Sequence, residues 1–331
     1  MNIKTNTFPS EEHQFVVSPE HSGLRLDAFM ALQATIVSRS KALELIKNQN
    51  VLVNQAPVKP SYRVHPNDIV SVQIPQLPPD ASTQPYAFEL DIKYEDQDLI
   101  VVNKPSGLVS HPACGHINDT LVNALLHHTN ELSTGFSPER QGLVHRLDKE
   151  TSGLLVVAKT NKAQADLANQ FKERSIHRRY QAICFGIFAT REGEMKSYLI
   201  RHPESRKKFI SQSDPQQGKF AHTSYRVLSE VGKQTRAPLT LVELKLFTGR
   251  THQIRVHLSE LGHPIVGDEV YGGSSRLRKL SNQIQEQLEG LPRFFLHAKE
   301  LGFVHPRTRE KLFFNQDWPS DTHFLINLFK F

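Results

Sequence analysis

Two cysteines in 331 residues, Cys114 and Cys184, are too few for a disulfide framework, which excludes a cysteine-stapled secreted scaffold. No apolar run approaches the ~20 residues that a membrane-spanning helix needs. The stretch Met1–Pro19 is polar and mixed in charge, without the apolar core of a signal peptide. Neither a P-loop nor a glycine-rich dinucleotide fingerprint occurs, and no segment repeats. These absences set aside several classes of function and leave a globular protein expected in the cytoplasm.

What is present fits that class. Hydrophobic residues make up 38% and charged residues 22% of the chain. A length of 331 residues exceeds one ordinary core, so two domains are expected. The net charge of +6, from 40 Lys and Arg against 34 Asp and Glu, suggests an anionic partner such as RNA without identifying it.

A loose tail is expected over 1–13 and a compact unit over 14–75. Leu24, Leu26, Ala28, Phe29 and Leu32 suggest a short helix. Ser38 is placed to cap a second, with Ala42, Leu45 and Ile46 inward. Val51–Asn54 and Val70, Val72 and Ile74 read as strands. Arg39, Lys41, Lys47 and Arg63 could meet phosphates from this unit, although scattered surface cations are usually just solvated. The proline-rich run Pro75–Pro85 disfavours helix and puts the linker over 76–87. The second domain is then 88–331.

In that domain Gly142-Leu-Val-His-Arg-Leu-Asp-Lys-Glu-Thr-Ser-Gly153 is polar and turn-like, and it runs into the apolar Leu154–Ala158, a buried strand by pattern. Asp148 thus sits on a loop feeding a rigid strand, where a carboxylate can be held firmly and still face a cleft. Thr151, Ser152 and Gly153 can bond the backbone and let the chain turn. Thr160 caps a helix with Ala163, Leu167, Ala168 and Phe171 inward. Ile176–Gly186 reads as a strand with Tyr180, Ala182 and Cys184 on one face. Tyr198–Thr223 is basic and irregular. Leu239–Phe247 alternates as a strand and ends in Thr248-Gly-Arg-Thr-His-Gln-Ile-Arg-Val-His-Leu258. There Thr251 looks like an N-cap, Ile254, Leu258 and Leu261 share a face, and Gly262 closes the helix. Arg250 and Arg255 flank a helix start, where anions are favoured. His111, Cys114 and His116 are ligand types for zinc, but a fourth ligand and a standard spacing are missing, so no metal is expected.

Two of these strings resemble known families. His145–Gly153 and Gly249–His257 are similar, motif for motif, to the signatures of the RluA-type pseudouridine synthases. The two helices and Val51–Asn54 resemble the S4 RNA-binding domain. Asn103–Gly107 is similar to a further motif of the synthases. The resemblance covers about Leu24 to Trp318 and is nearest in architecture to the S4-bearing enzymes of large-subunit ribosomal RNA. It implies an α+β fold with a mixed, mostly antiparallel central sheet and flanking helices, preceded by a small α+β S4-like domain. It makes Asp148 the catalytic aspartate, Arg255 its partner and Tyr180 the aromatic that stacks on the target base. Lys104, Pro105, His145, Arg146, Arg250 and Ile254 would lie around the substrate.

The reaction so implied is isomerisation of uridine to pseudouridine in structured RNA, without a cofactor, by a protein expected to be monomeric. A carboxylate suits it, as nucleophile on the sugar or as base through a glycal route. Arg255 would keep that carboxylate ionised. The same chemistry on transfer RNA stays open, as does a non-catalytic S4-type RNA-binding factor, which the intact Asp148, Tyr180 and Arg255 argue against. A glycoside hydrolase would need a second paired acid, and only Glu150 stands near Asp148.

Overall fold

The computed structural model describes residues 10–33, 39–75, 84–113, 115–135, 140–205, 207–272, 274–289, 291 and 293–329. Residues 1–9, Ser38, Cys114 and most of the proline-rich linker, all singled out in the sequence, lie outside the described residues. The chain divides into two compact units. One comprises Met1–Phe88 with 111–143 and 158–166; the other comprises 89–110, 144–157 and 167–331.

In the first unit, β1 (Ser10–Val16), β2 (Val51–Val53), β3 (Ala56–Pro57) and β4 (Ile69–Pro75) form an antiparallel sheet in the order β1-β4-β2-β3. Strand β1 begins at Ser10, inside the stretch read as tail, because its backbone pairs with β4 from Ser10↔Pro75 to Val16↔Ile69. The helices are α1 (Leu26–Met30) and α2 (Arg39–Lys47). Leu26, Phe29, Ala42, Leu45, Val51, Val53, Val70 and Val72 meet in one buried cluster. Leu32, expected with the first helix, lies beyond its end and is exposed. Later in this unit, α3 (Leu121–His128) opens on a capping box in which Thr120 and Asn123 satisfy each other's backbone N–H.

The second unit is built on a ten-stranded sheet. Its strands are β5 (Asp91–Glu95), β6 (Leu99–Lys104), β7 (Ser152–Ala158), β8 (His177–Phe185), β9 (Glu192–Arg201), β10 (Phe209–Gln212), β11 (Lys219–Val231), β12 (Leu239–Leu246), β13 (Leu296–Val304) and β14 (Lys311–Asn315). The order is β10-β9-β11-β12-β8-β13-β7-β6-β5, with β14 on β13. Most pairs are antiparallel; β13 runs parallel to β7. Strands β6 and β7 are apolar runs and are buried almost throughout. The helices of this part of the chain are α4 (Asn161–Glu173), capped by Thr160 Oγ1 on the Ala163 N–H at 3.2 Å, α5 (Gln253–Glu260), α6 (Ser274–Leu277), α7 (Asn282–Glu289) and α8 (His323–Ile326).

Four local readings change. Tyr198–Thr223 is not irregular: β9, β10 and β11 pair through it, and side chains of mixed polarity hid the alternation. The N-cap of α5 is His252, in the left-handed region at φ 56°, rather than Thr251. Leu261 is 42% exposed, past the last turn. Gly153 serves close approach rather than a turn. At φ 113° it lies within β7, where a Cβ would stand 2.3 Å from the Ala298 carbonyl of β13.

Candidate active site

The loop before β7 is fixed from one side. The Nζ of Lys104, at the end of β6, donates to the carbonyls of Pro105 (2.8 Å), Leu108 (2.8 Å) and Lys149 (3.0 Å). Gly107 N–H also reaches the Lys149 carbonyl, at 2.9 Å. Ser106 Oγ donates to the Glu150 carbonyl at 2.8 Å, and Ser110 Oγ to that of Leu147 at 2.7 Å. The backbone on both sides of Asp148 is thereby held, while the Asp148 N–H and side chain stay out of these contacts.

Lys104 itself is fully buried. Burial pushes its pKa down to about 7, against the nearby charges of Glu150 and Asp148. Its three carbonyl partners use the full donor set of an ammonium, so the charged form is the one the cradle accommodates.

From the other side comes α5. Oδ2 of Asp148 accepts from Nη1 of Arg255 at 3.2 Å, and the two side chains are 16% and 6% exposed. Arg255 does not stand alone. Its Nε and Nη2 donate to the two oxygens of Asp268 at 2.7 and 3.0 Å, and its guanidinium lies over Tyr271 and Phe294. Burial would lower the Arg255 pKa, but the hydrogen bonds and charges of Asp268 and Asp148 outweigh it and raise it. Asp268 is wholly buried and also accepts the N–H groups of Val270 and Tyr271. Gly267 before it is required by packing: at φ 83°, a Cβ there would sit 2.2 Å from the Arg293 carbonyl.

His252 is the third group at the carboxylate, with Nε2 3.9 Å from Oδ2 of Asp148. Its Nδ1 is 2.9 Å from the Tyr271 hydroxyl, which also accepts the Phe209 N–H at 2.8 Å. The hydroxyl proton is therefore free to go to Nδ1, leaving the Nε2–H of a neutral ring towards Asp148. Burial lowers the His252 pKa and favours that neutral ring. Gln253 ties the turn. Its Oε1 accepts from Thr248 Oγ1 and the Arg250 N–H, and its Nε2 donates to the His222 carbonyl and Thr223 Oγ1.

Asp148 faces two cavities. The smaller, about 60 Å³, is lined by Asp148, Arg146, Tyr180, Arg250, Ile254 and Arg255, with His252 and Gln253. The larger, about 610 Å³, shares Arg146, Asp148, His252 and Arg255 and extends to Glu269, Leu277, Leu288 and Phe294. Tyr180, on β8, is 6% exposed; burial raises its pKa and keeps the phenol neutral.

Six of the residues singled out from the sequence thus meet: Asp148, Tyr180, Arg255, Arg146, Arg250 and Ile254. Three do not line either cavity. Lys104 supports the loop from behind, and Pro105 is half-buried after β6. His145 turns the other way: its ring packs on Phe171 at 4.6 Å and its Nε2 accepts the Val156 N–H at 3.1 Å. Packing and the neighbouring Arg178 push its pKa down to about 3. The sequence reading missed Asp268, His252 and Gln253. The signals were an acid after Gly267 in the apolar turn Ile265-Val266, and two polar residues at the helix start.

In the first unit Arg39, Lys47 and Arg63 are exposed, and the Lys41 side chain lies outside the described residues. Arg39 and Arg25 both bond the buried Asp27. Burial would raise the Asp27 carboxyl, but these two hydrogen bonds prevail and hold it below the usual range. Arg63 Nη1 donates to the Gly23 carbonyl at 2.7 Å. His116 bonds Asp119 at 2.7 Å, and among the described residues it forms no metal-holding group with His111. The one group of donors close enough for an ion among those residues is Asp96, Asp98 and His305, outside the site and already engaged with one another and with Arg307.

The family model for RNA pseudouridylate synthases matches residues 98–260, and that for the S4 domain matches 24–70. Ribosomal large subunit pseudouridine synthase D of Zymomonas mobilis is 41% identical over 95% of this chain and 96% of its own length. The protein of the same name from Xylella fastidiosa is 42% identical over 88% and 85%. The chain belongs to the RNA pseudouridylate synthase family. Among solved structures, human RNA Pseudouridylate Synthase Domain Containing 4 is similar with a TM-score of 0.53, at 29% identity over 72% of this chain and 92% of that one. The synthase is accordingly an isomerase acting on uridine in RNA, with an S4 domain before its catalytic fold.

Proposed function

We propose that this synthase converts uridine to pseudouridine in large-subunit ribosomal RNA, with Asp148 as the reacting carboxylate. Several relatives that match most of the chain carry that substrate in their names. The observation that carries the assignment of Asp148 is its ion pair to Arg255 at 3.2 Å on the wall of a cavity shared with Tyr180.

In the reaction the N1–C1′ bond breaks, the uracil turns, C5 bonds to C1′, the C5 proton leaves, and N1 gains a proton. Atoms balance and no electrons are exchanged. Asp148 can add to C1′ or take the 2′ proton, and a guanidinium locked on a second carboxylate holds it at one position for either. The target uridine must leave its stack, at a cost of a few kcal/mol. Tyr180 offsets part of that cost by stacking on the extruded base, at about 1–3 kcal/mol. Arg146 and Arg250, both exposed at the cavity rim, would contact flanking phosphates, and Arg39, Lys47 and Arg63 would bind RNA from the S4 unit. We take the domain boundaries to be 14–75 and 88–331 and the protein to act as a cytoplasmic monomer.

Tritium release from large-subunit ribosomal RNA labelled at uridine C5 tests the reading. The native chain is expected to release tritium. Asp148→Asn is expected to abolish release while RNA affinity stays within a few-fold. Full activity in Asp148→Asn would remove the mechanism.

A further inference from the structure

Two consecutive arginines on β8 are treated oppositely by the fold. Arg179 points outward, half-exposed, and bonds Glu243 at 2.6 Å with Glu300 at 3.7 Å. Arg178 shares the inward face with Tyr180 and is 8% exposed. Among the described residues no carboxylate pairs with it, and its Nε is buried without a hydrogen-bond partner. Its contact is a stack over the Phe171 ring at 5.0 Å. This inverts electrostatic expectation: the cation in water has counter-charges and the desolvated one has none. A buried charge without a partner is costly unless something anionic completes it.

The tip of Arg178 shows where that anion would come from. Its Nη1 lies 3.4 Å from where a Cβ would stand on Gly249, and both Gly249 and Arg250 are exposed. The guanidinium therefore ends beneath a spot on the turn that carries no side chain. Arg250, beside it, is fixed by Nε on the Phe220 carbonyl at 3.0 Å. Two cations thus flank one bare stretch of backbone. Two residues along a strand advance about 7 Å, a span that one nucleotide can bridge between its base on Tyr180 and a phosphate at Arg178.

We propose that Arg178 and Arg250, with Gly249 between them, form a binding site for one phosphodiester of the RNA, next to the nucleotide whose base stacks on Tyr180. The inference rests on the functional reading above and adds a substrate contact to it. Arg178 is then a binding residue whose charge is completed only when RNA is bound. The planar fork of its guanidinium suits two phosphate oxygens at once.

The test begins with tritium release by the native chain on labelled large-subunit ribosomal RNA. Absence of release would overturn the functional reading and this inference together. With release established, Arg178→Gln keeps the length of the side chain and removes its charge. The expected result is a fall in kcat/KM of about tenfold or more, carried by KM, as for one lost charge-assisted contact. The slope of log affinity against log salt is expected to flatten by about 0.7–0.9. Unchanged affinity and slope in a folded Arg178→Gln would overturn the site, as would a lowered melting temperature with RNA binding intact.

A second arm identifies the phosphate. Hairpins spanning the reacting uridine are made with single neutral methylphosphonate linkages on either side of it. One linkage is expected to weaken binding by the native chain and to cost nothing further in Arg178→Gln. Strictly additive losses at every linkage would refute the contact. Should Arg178→Gln not fold, Arg178→Lys enters the same cycle. It is expected to keep the salt slope and lose affinity, and equal affinity for every hairpin would count against the site.

Discussion

Arg255 is shared between two carboxylates: its Nη1 meets Asp148 at 3.2 Å, while its Nε and Nη2 grip Asp268 at 2.7 and 3.0 Å. The two acids differ in exposure. Asp268 is wholly buried, whereas the Asp148 side chain keeps 16% of its surface at the cavity wall. The buried acid anchors the arginine, and the arginine positions the exposed acid.

Asp268→Asn is therefore expected to lower tritium release about 100-fold without touching substrate, because a small displacement of a reacting group costs that much. Stability should fall by about 3–5 kcal/mol, the loss on breaking a buried pair from one side. Denaturant titration and single-turnover release on the same preparation check both. Activity at the native level would mean that Arg255 holds its place without Asp268.

Tyr180→Leu retains burial and removes the aromatic face. The expected loss in kcat/KM corresponds to about 1–3 kcal/mol of stacking. The fractional loss should be the same on an RNA whose uridine is already unstacked in a loop and on one where it is paired, because the contact exists only in the bound complex. A loss below about 1 kcal/mol on both RNAs would argue that Tyr180 only fills the core.

Lys104→Met removes the ammonium donor from three carbonyls of the Asp148 cradle, of which that of Lys149 keeps the Gly107 N–H. Each unsatisfied buried acceptor costs about 1–3 kcal/mol, so a lowered melting temperature is expected. Activity should fall at temperatures where the variant is still folded, because the Lys149 backbone is held by one contact fewer. Amide hydrogen exchange across 147–151 should quicken; unaltered exchange there would contradict the cradle.

Three histidines set an acid limit. Burial pushes His257 and His297 down to about 4, and packing pushes His145 down to about 3. These values lie below the ordinary 6.5, so the unfolded chain takes up protons first as pH falls. Stability from these groups is complete above pH 6.5 and is lost progressively towards pH 4, at roughly 1.4 kcal/mol per group per pH unit. Chemical denaturation at pH 7, 6 and 5 should show the decline, and His297→Gln should flatten it. A stability independent of pH over that range would mean that these rings take up protons in the folded chain as they do in the unfolded one.

Much of the site was legible because its residues sit in short strings. Asp148, Arg250, Ile254 and Arg255 belong to two stretches whose turn residues, cap signals and apolar runs fix local geometry. Alternation along β8 put Tyr180 on the inward face, and its place at the site came from the resemblance to the synthases. Lys104 and His145 lay in equally recognisable strings but turned away from the cavities. A motif gives residue identity, whereas the direction of a long side chain depends on what surrounds it. Lys104 finds one of its acceptors on a loop 45 positions away, and His145 finds Phe171 on α4. The β9–β11 hairpins escaped because their exposed faces mix charge with apolar residues and blur the period of two.

By itself the sequence determined the loop that carries Asp148 and the strand it feeds, since these follow from residues a few positions apart, and the resemblance of its short strings to the synthases and the S4 domain pointed to RNA. The tertiary structure alone decided that Arg255 answers to two acids, that Lys104 is a prop, and that Arg178 is buried with no counter-charge among the described residues while Arg179 has two. The reason is that burial and charge pairing are set by atoms brought together across the sheet from distant parts of the chain, and local periodicity has no access to them.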